Sequence, residues 1–497
     1  MVAKRFAFTL CCVLFFVFTH TVYSETWLDK AKNKYDDLRG AKKTDVETSS
    51  ETKEKASIAR AEIPNDLPDD WRLELFEESI FGSELVLARV GEAGKPKVFL
   101  VHGLGQLGMR DWLTVVPKLK ADYEVFVIDL PGFASSGKPK GKYSPSNYAG
   151  VLNEVKAYYA PSEQISMIGH SMGAAVTLRY SHLYPNSLKR AVLVDAAGIL
   201  QRTAFMKHSV QISNAEKSSA HVSKLVLSKT QGLSNNLIEL INLWPDPSRL
   251  IKSEGAWSKT FSGKSNANAA FALIEEDFSE AIYNNKVAIT LIWGELDTVA
   301  PLRTGEVLSH ALGGAKLSVI AGAKHVPMKT HSDLFNDYLK HHLDQTYSEP
   351  EQKLQEGENI NCGGISGRIY TGDYKKVHIS DCKAITLRDM TAEQLIIKDS
   401  QVDIEDVSLT SKGTAFSCQD SVVLATNLSI KGDVAMLLDD CRLDSAGMYL
   451  EAYATALNVL NQSRLVISIA RVSSAKYKGF AHGLYVLEQQ SLDEYLQ

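Results

Sequence analysis

The chain has 497 residues, enough for two or three domains at roughly 100–200 residues each. Hydrophobic residues make up 44% and charged residues 23%, which excludes a mainly disordered chain, a collagen-like chain and a multi-span membrane protein. The net charge of -5, from 54 basic and 59 acidic residues, argues against a dedicated nucleic-acid binder, and the six cysteines contain no C-x-x-C pair that would suggest a zinc or redox site.

In chain order, Lys4 and Arg5 precede an apolar run from Phe6 to Phe18, and Val22-Tyr23-Ser24 supplies a small-residue exit. These are the parts of a secretory signal, so 1–24 reads as a signal peptide cleaved after Ser24. The expected location is secreted or periplasmic, with an uncut membrane anchor as the alternative. Cleavage would leave four cysteines, at 362, 382, 418 and 441. Residues 25–68 are rich in charged residues, serine and threonine and read as a linker ending at Pro64 and Pro68.

From Trp71 onward, strand-like and helix-like stretches alternate. WRLELFEESI and ELVLARV suggest a hairpin around Gly82. KVFLV, YEVFVIDL, ISMIGH, RAVLVDA, VAITLIWG and KLSVIAG are continuous apolar strands, with DWLTVVPKLKAD read as one helix after the first of them. Such runs with helices between them imply a parallel sheet covered on both faces. Between about 201 and 286 the strand pattern gives way to helical periodicity, as expected of an inserted cap. Residues 346–360 read as a polar linker.

A different pattern follows over 361–485. Cys382, Ser400, Ser421, Cys441 and Ser463 mark a repeat, 18, 21, 20 and 22 residues apart, with Cys362 another 20 before Cys382. A period near 20 without helices implies a β-solenoid, most simply a right-handed parallel β-helix of about six turns. An antiparallel sandwich with turns at chance spacing is the alternative. Asp381, Asp399, Asp420 and Asp440, beside the markers, read as turn formers. Turns stacked about 4.8 Å apart put Cys362 and Cys382 within bonding reach. Cys418 and Cys441 are an off-register pair, and Cys382 and Cys441 are too far apart. All four could equally be small buried residues of the ladder. Residues 486–497 read as a tail.

Residues 169–173 are Gly-His-Ser-Met-Gly, a G-x-S-x-G match that arises by chance about 0.2 times in such a chain. Its context strengthens it: a strand runs in and a helix runs out, as the motif's sharp turn requires. Ser171 is then the nucleophile. A serine hydroxyl needs a base, and the base needs an orienting acid. Asp297 and His325 each stand just past a strand end, in the order Ser, acid, His; Asp195 is the competing acid. Backbone amides of Met172 and Leu104 are the expected oxyanion donors, Leu104 lying in the His102-Gly103-Leu104-Gly105 loop.

Five motifs, HGLG, DLPGFASSGKP, GHSMG, WGELD and GAKHVP, stand in the order and at about the distances of the α/β-hydrolase superfamily, which residues 69–345 resemble. The resemblance implies an eight-stranded, mostly parallel sheet with a cap after strand six, a Ser171–Asp297–His325 triad, and neither metal nor organic cofactor. Ser171 differs from the aspartate nucleophile of epoxide hydrolases and haloalkane dehalogenases. Val326 stands where carbon–carbon bond hydrolases usually carry tryptophan. The tail domain is similar in architecture alone to right-handed β-helices of polysaccharide lyases and autotransported proteins. The expected function is an exported serine hydrolase of small or lipid-like carboxylic esters. A thioesterase, acyltransferase or polysaccharide deacylase would use the same triad. An adhesion or scaffold protein built on the solenoid, with a polysaccharide or surface partner, is the reading from another class.

Overall fold

The computed structural model describes residues 67–200, 254–261, 263–344, 359–364 and 367–497. The signal segment, nearly all of the first linker, the first part of the cap and most of the second linker lie outside the described residues.

The first sheet contains β1 (Arg72–Glu78), β2 (Ser83–Val90), β3 (Lys97–Val101), β4 (Glu124–Ile128), β5 (Ile165–His170), β6 (Leu188–Val194), β7 (Ile289–Gly294) and β8 (Leu317–Ile320). Their spatial order is β1-β2-β4-β3-β5-β6-β7-β8. β1, β2 and β4 pair antiparallel, and β3 to β8 are parallel. The strands are apolar on both faces because two cores need them. Phe99, Val101, Phe126 and Ile128 enter one core, while Val98, Leu100, Val125 and Val127 enter the other. Period-two alternation sorts neighbours to opposite sides, so a buried sheet reads as a continuous apolar run.

Helix α1 (Val116–Leu119) follows a 3-10 turn at Gly108–Trp112. The single helix expected over DWLTVVPKLKAD is thus two short pieces. Helix α2 (Pro145–Tyr159) starts where Ser144 Oγ accepts from Asn147 N at 3.2 Å, with Pro145 at the first helical position. Helix α3 (Met172–Leu183) leaves β5 directly after Ser171. Helices α4 (Glu254–Phe261), α5 (Ser265–Ile274) and α6 (Ser279–Tyr283) belong to the cap region, before β7. Then come α7 (Leu302–Ala311), α8 (Pro327–Thr330) and α9 (Ser332–Asp344).

The second sheet runs β9 (Asn359–Gly363), β10 (Ile369–Ser380), β11 (Ile385–Lys398), β12 (Gln401–Thr410), β13 (Thr414–Gln419), β14 (Val422–Asp439), β15 (Arg442–Val459), β16 (Ser463–Ser473) and β17 (Lys478–Leu487). Successive coils pair parallel from β9 to β16. The strands are longer than the short ones expected, up to 18 residues, because each bends through its corner without breaking the ladder. One corner is the column Asp381, Asp399, Asp420 and Asp440, all with φ between 46° and 55°. Aspartate tolerates this left-handed backbone better than most residues. Beside it, Ser400 Oγ accepts from Cys382 N, Ser421 Oγ from Ser400 N, and Ser463 Oγ from Cys441 N, each at 3.0 Å. The repeat markers are therefore a ladder of inward hydroxyls that satisfy the turn amides. Disulfides join Cys362 to Cys382 and Cys418 to Cys441.

The chain's last residues close the stack instead of forming a tail. β17 turns back antiparallel on β16, and helix α10 (Leu492–Leu496) packs on β15. Fully buried Asp493 accepts from Ala456 N and Leu457 N at 3.0–3.2 Å, filling the ladder positions that no further coil supplies.

The solenoid also docks on the hydrolase-like domain. Its second corner column is Asp406, Asn427, Gly447 and Ile469, each with positive φ. Arg303, in the first turn of α7, donates Nε to Thr426 Oγ1 at 2.8 Å and Nη2 to the Ala425 carbonyl at 2.6 Å, and pairs with Asp444 at 3.3 Å. A Cβ on Gly447 would come within 3.1 Å of Val307. Tyr283 OH donates to the Ile469 carbonyl at 3.1 Å, and its ring stacks on Phe480. Such a contact should couple the two domains into one unfolding transition. Arg303→Met should lower the unfolding free energy by about 2 kcal/mol, since it removes two charge-assisted hydrogen bonds and a part-buried ion pair. Urea unfolding followed separately by near-UV and far-UV circular dichroism checks this.

Candidate active site

The three side chains singled out in the sequence converge. His325 Nε2 is 2.8 Å from Ser171 Oγ, and His325 Nδ1 is 2.7 Å from Asp297 Oδ2. With Nδ1–H donated to the carboxylate, Nε2 is left to accept the serine proton. Each residue sits at the C-terminal end of a parallel strand: Ser171 after β5, Asp297 after β7, His325 after β8. The sheet brings together what lies 154 residues apart in the chain.

Ser171 has φ 54° and ψ -116°, a conformation costly for a non-glycine residue. The surroundings enforce it. Ser171 N donates to the Val194 carbonyl at 2.9 Å, and its own carbonyl accepts from Ala174 N at 3.1 Å. A Cβ on Gly169 would lie 2.1 Å from the Gly173 carbonyl oxygen, and one on Gly173 would lie 2.2 Å from that of Val101. Only glycine lets helix α3 leave so close to the strands.

Met172 is the first residue of α3, so its amide has no acceptor within the helix. Leu104 lies on the loop after β3. That loop passes against Ser171: a Cβ on Gly103 would fall 2.9 Å from Ser171 Cβ. His102 fixes its path. Its Nε2 accepts from Leu130 N at 3.0 Å, which leaves Nδ1–H to donate to the Gly103 carbonyl at 2.7 Å. Asp129, fully buried, ties the same region down by accepting from Met109 N at 2.6 Å and Ser135 N at 3.1 Å.

Sequence reasoning assigned no role to His170, yet this residue supports His325. Its Nε2–H donates to the His325 carbonyl at 2.7 Å, and the two rings are 5.0 Å apart. Burial first, and the neighbouring His325 second, hold its imidazole down at about 4, so it is neutral at neutral pH. The signal available was its place inside G-x-S-x-G. Asp195, weighed as the competing acid, is also at the site but makes no bond to His325. It is fully buried after β6, and its Oδ1 accepts from Gly294 N at 2.8 Å. Burial, and then Asp297, push its carboxyl well above the ordinary range. Asp297 Oδ1 accepts from Val299 N at 2.7 Å and Ala300 N at 3.0 Å. Among the described residues, no group of three or more His, Cys, Asp or Glu side chains is placed to hold a metal ion.

Residues 96–332 match the family model described as alpha/beta hydrolase fold. This part of the chain has the α/β-hydrolase fold. An uncharacterized protein of Mycobacterium tuberculosis is 22% identical over 275 residues, which cover 52% of this chain and 78% of the relative. Lipase 1 of Psychrobacter immobilis is 23% identical over 263 residues, covering 52% and 80%. Lipase 3 of a Moraxella species is 24% identical over 264 residues, covering 52% and 80%. Among solved structures, a hydrolase from Pseudomonas aeruginosa is similar over 55% of this chain and 99% of its own, at 20% identity and a TM-score of 0.41.

Buried neutral histidines make the α/β-hydrolase domain acid-sensitive. His170 and His342 are both held at about 4 by burial, against an ordinary value near 6.5. The unfolded chain takes up their protons first. The stability they contribute is complete above about pH 6.5 and drains away as pH falls towards 4. His342, on α9, bonds Ser318 Oγ at 2.8 Å. His342→Gln should flatten the loss of stability between pH 6.5 and 4 by up to about 1.4 kcal/mol per pH unit. Thermal unfolding across that range measures the slope.

Proposed function

We propose that the protein is an exported serine hydrolase of carboxylic esters, acting through Ser171, His325 and Asp297. The observation that carries this reading is the unbroken hydrogen-bonded relay, 2.8 Å from serine to imidazole and 2.7 Å from imidazole to carboxylate. His325 Nε2 takes the Ser171 proton as Oγ attacks the ester carbonyl carbon. Asp297 keeps the imidazole in the required tautomer and stabilises its cation. The amides of Met172 and Leu104 hold the oxyanion of the tetrahedral intermediate. His325 then gives its proton to the leaving alcohol. Water, deprotonated by the same imidazole, attacks the acyl-enzyme and releases the acid.

Two of the relatives being lipases supports an ester substrate. Leu104 and Leu107 on one site loop, and Leu296 and Val299 beside Asp297, are exposed and would favour a lipid-like acyl or alcohol group. Val326 after the base supports esters over carbon–carbon bonds. The two disulfides support export, since such bonds persist in oxidising compartments. The intact relay speaks against a degenerate hydrolase serving only as a scaffold for the solenoid.

Ser171→Ala should lose turnover by at least about 10⁴-fold while keeping its circular dichroism spectrum and melting temperature. A fluorophosphonate probe should label Ser171 and nothing else in the chain. Labelling of another serine, or retained turnover in the variant, overturns the proposal. Parallel assays on p-nitrophenyl esters of increasing chain length, acyl-thioesters and acetylated glycans separate the ester reading from thioesterase and deacylase activity. An added alcohol acceptor exposes acyl transfer.

A further inference from the structure

The acid of the relay has a second carboxyl behind it. Asp195 ends β6 and Asp297 follows β7, the neighbouring parallel strand, with Val194 in register with Ile292. Asp195 N donates to the Ile292 carbonyl at 3.1 Å, and Gly294 N donates to Asp195 Oδ1, so its carboxyl points across the end of β7 towards the Asp297 turn. Asp195 Oδ2 is sealed from water, and no donor reaches it. An ionised carboxylate with one bare buried oxygen would be strongly disfavoured. The group within hydrogen-bonding reach of it is the Asp297 carboxyl.

Two carboxyls in contact in a dry site do not both ionise. The distribution of donors decides which one keeps the proton. Asp297 accepts from Val299 N, Ala300 N and the His325 imidazole, three donors that stabilise its anion. Asp195 accepts from Gly294 N alone. We propose that Asp195 is a neutral carboxylic acid whose Oδ2–H donates to the Asp297 carboxylate, so that the acid of the triad is a pair of carboxyls sharing one negative charge. It never touches substrate, so it is a positioning residue. It gives Asp297 a fourth donor, fixes its plane, and spreads the negative charge that faces His325.

Other charged groups around the pair leave this assignment standing. Burial also pushes Asp195 towards its neutral form, and Asp297 is the ionisable neighbour acting on it among the described residues. From the β5 turn comes His170, neutral at neutral pH and bonded to the His325 carbonyl. From the loop after β8 comes His325, engaged with Asp297.

This inference rests on the triad reading for its kinetic consequence but not for its spectroscopic one. The experiment compares wild type with Asp195→Asn and Asp195→Leu in the full chain. Asparagine reproduces the geometry: its Oδ1 accepts from Gly294 N and its amide donates to Asp297. It should keep the acid limb of the kcat/KM profile in place and lose at most about 5-fold. Leucine fills similar space without a donor. It should lower kcat about 10–100-fold through misplacement of the acid and base, with KM little changed and the acid limb moved up. A drop of the acid limb by a unit or more in Asp195→Asn means that a nearby negative charge has been removed, and overturns the proposal. So does a leucine variant that is folded and indistinguishable from the asparagine one. Infrared difference spectra at pH 7, wild type minus Asp195→Asn, should show the C=O stretch of one protonated carboxyl. Its absence overturns the proposal even if leucine prevents folding, or if the chain proves inactive on every ester.

Discussion

The turn at Ser171 is the constraint on which the rest of the site depends. A non-glycine residue is held at φ 54° because the strand before it and the helix after it are both pinned by the sheet. Gly169 faces the Gly173 carbonyl and Gly173 faces that of Val101, at separations that leave no room for a Cβ. The cost of this backbone is met by the packing of helix α3, nearly all of whose residues are buried. In return the hydroxyl stands clear of the strands, next to an amide that the helix itself cannot satisfy.

Buried polar groups then hold the loops around that turn. His102, Asp129, His170, Asp195 and Asp297 all lie in the interior. Each uses its side chain to bind a backbone atom of a loop: Gly103, Met109, the His325 carbonyl, Gly294, and Val299 with Ala300. Such bonds favour one arrangement of the loops, because breaking any of them strands a buried donor or acceptor. The site is thus rigid by polar accounting as much as by shape.

How much of this could be read in the amino-acid order follows from the range of each interaction. The turn at Ser171 is local, and its two glycines and flanking strand and helix announce it. Asp297 and His325 were legible because strand ends in a parallel sheet share one edge. The solenoid's period was legible because Ser400, Ser421 and Ser463 repeat the same hydrogen bond to the preceding coil. What stayed hidden needs two elements brought together. The partnership of Asp195 and Asp297 depends on the register of β6 with β7. The role of His170 depends on where the β8 loop passes. The closure by Asp493 was missed because a charged residue near a chain end looks like solvent-exposed tail until the open ladder it fills is in view. The single helix expected over DWLTVVPKLKAD fails at its middle, where Pro117 sits in the first turn of a new short helix.

The corner column of the solenoid limits how that domain can change in size. Arg303 grips Ala425 and Thr426 on one coil and Asp444 on the next, while Tyr283 reaches Ile469 on the coil after that. Inserting one repeat between these coils would pull the gripped atoms apart by a full strand spacing, about 4.8 Å, and deleting one would erase a handhold. At the far end β17 and α10 seal the stack. Gain or loss of a coil is therefore least disruptive among the turns before Gln401, which these contacts do not hold.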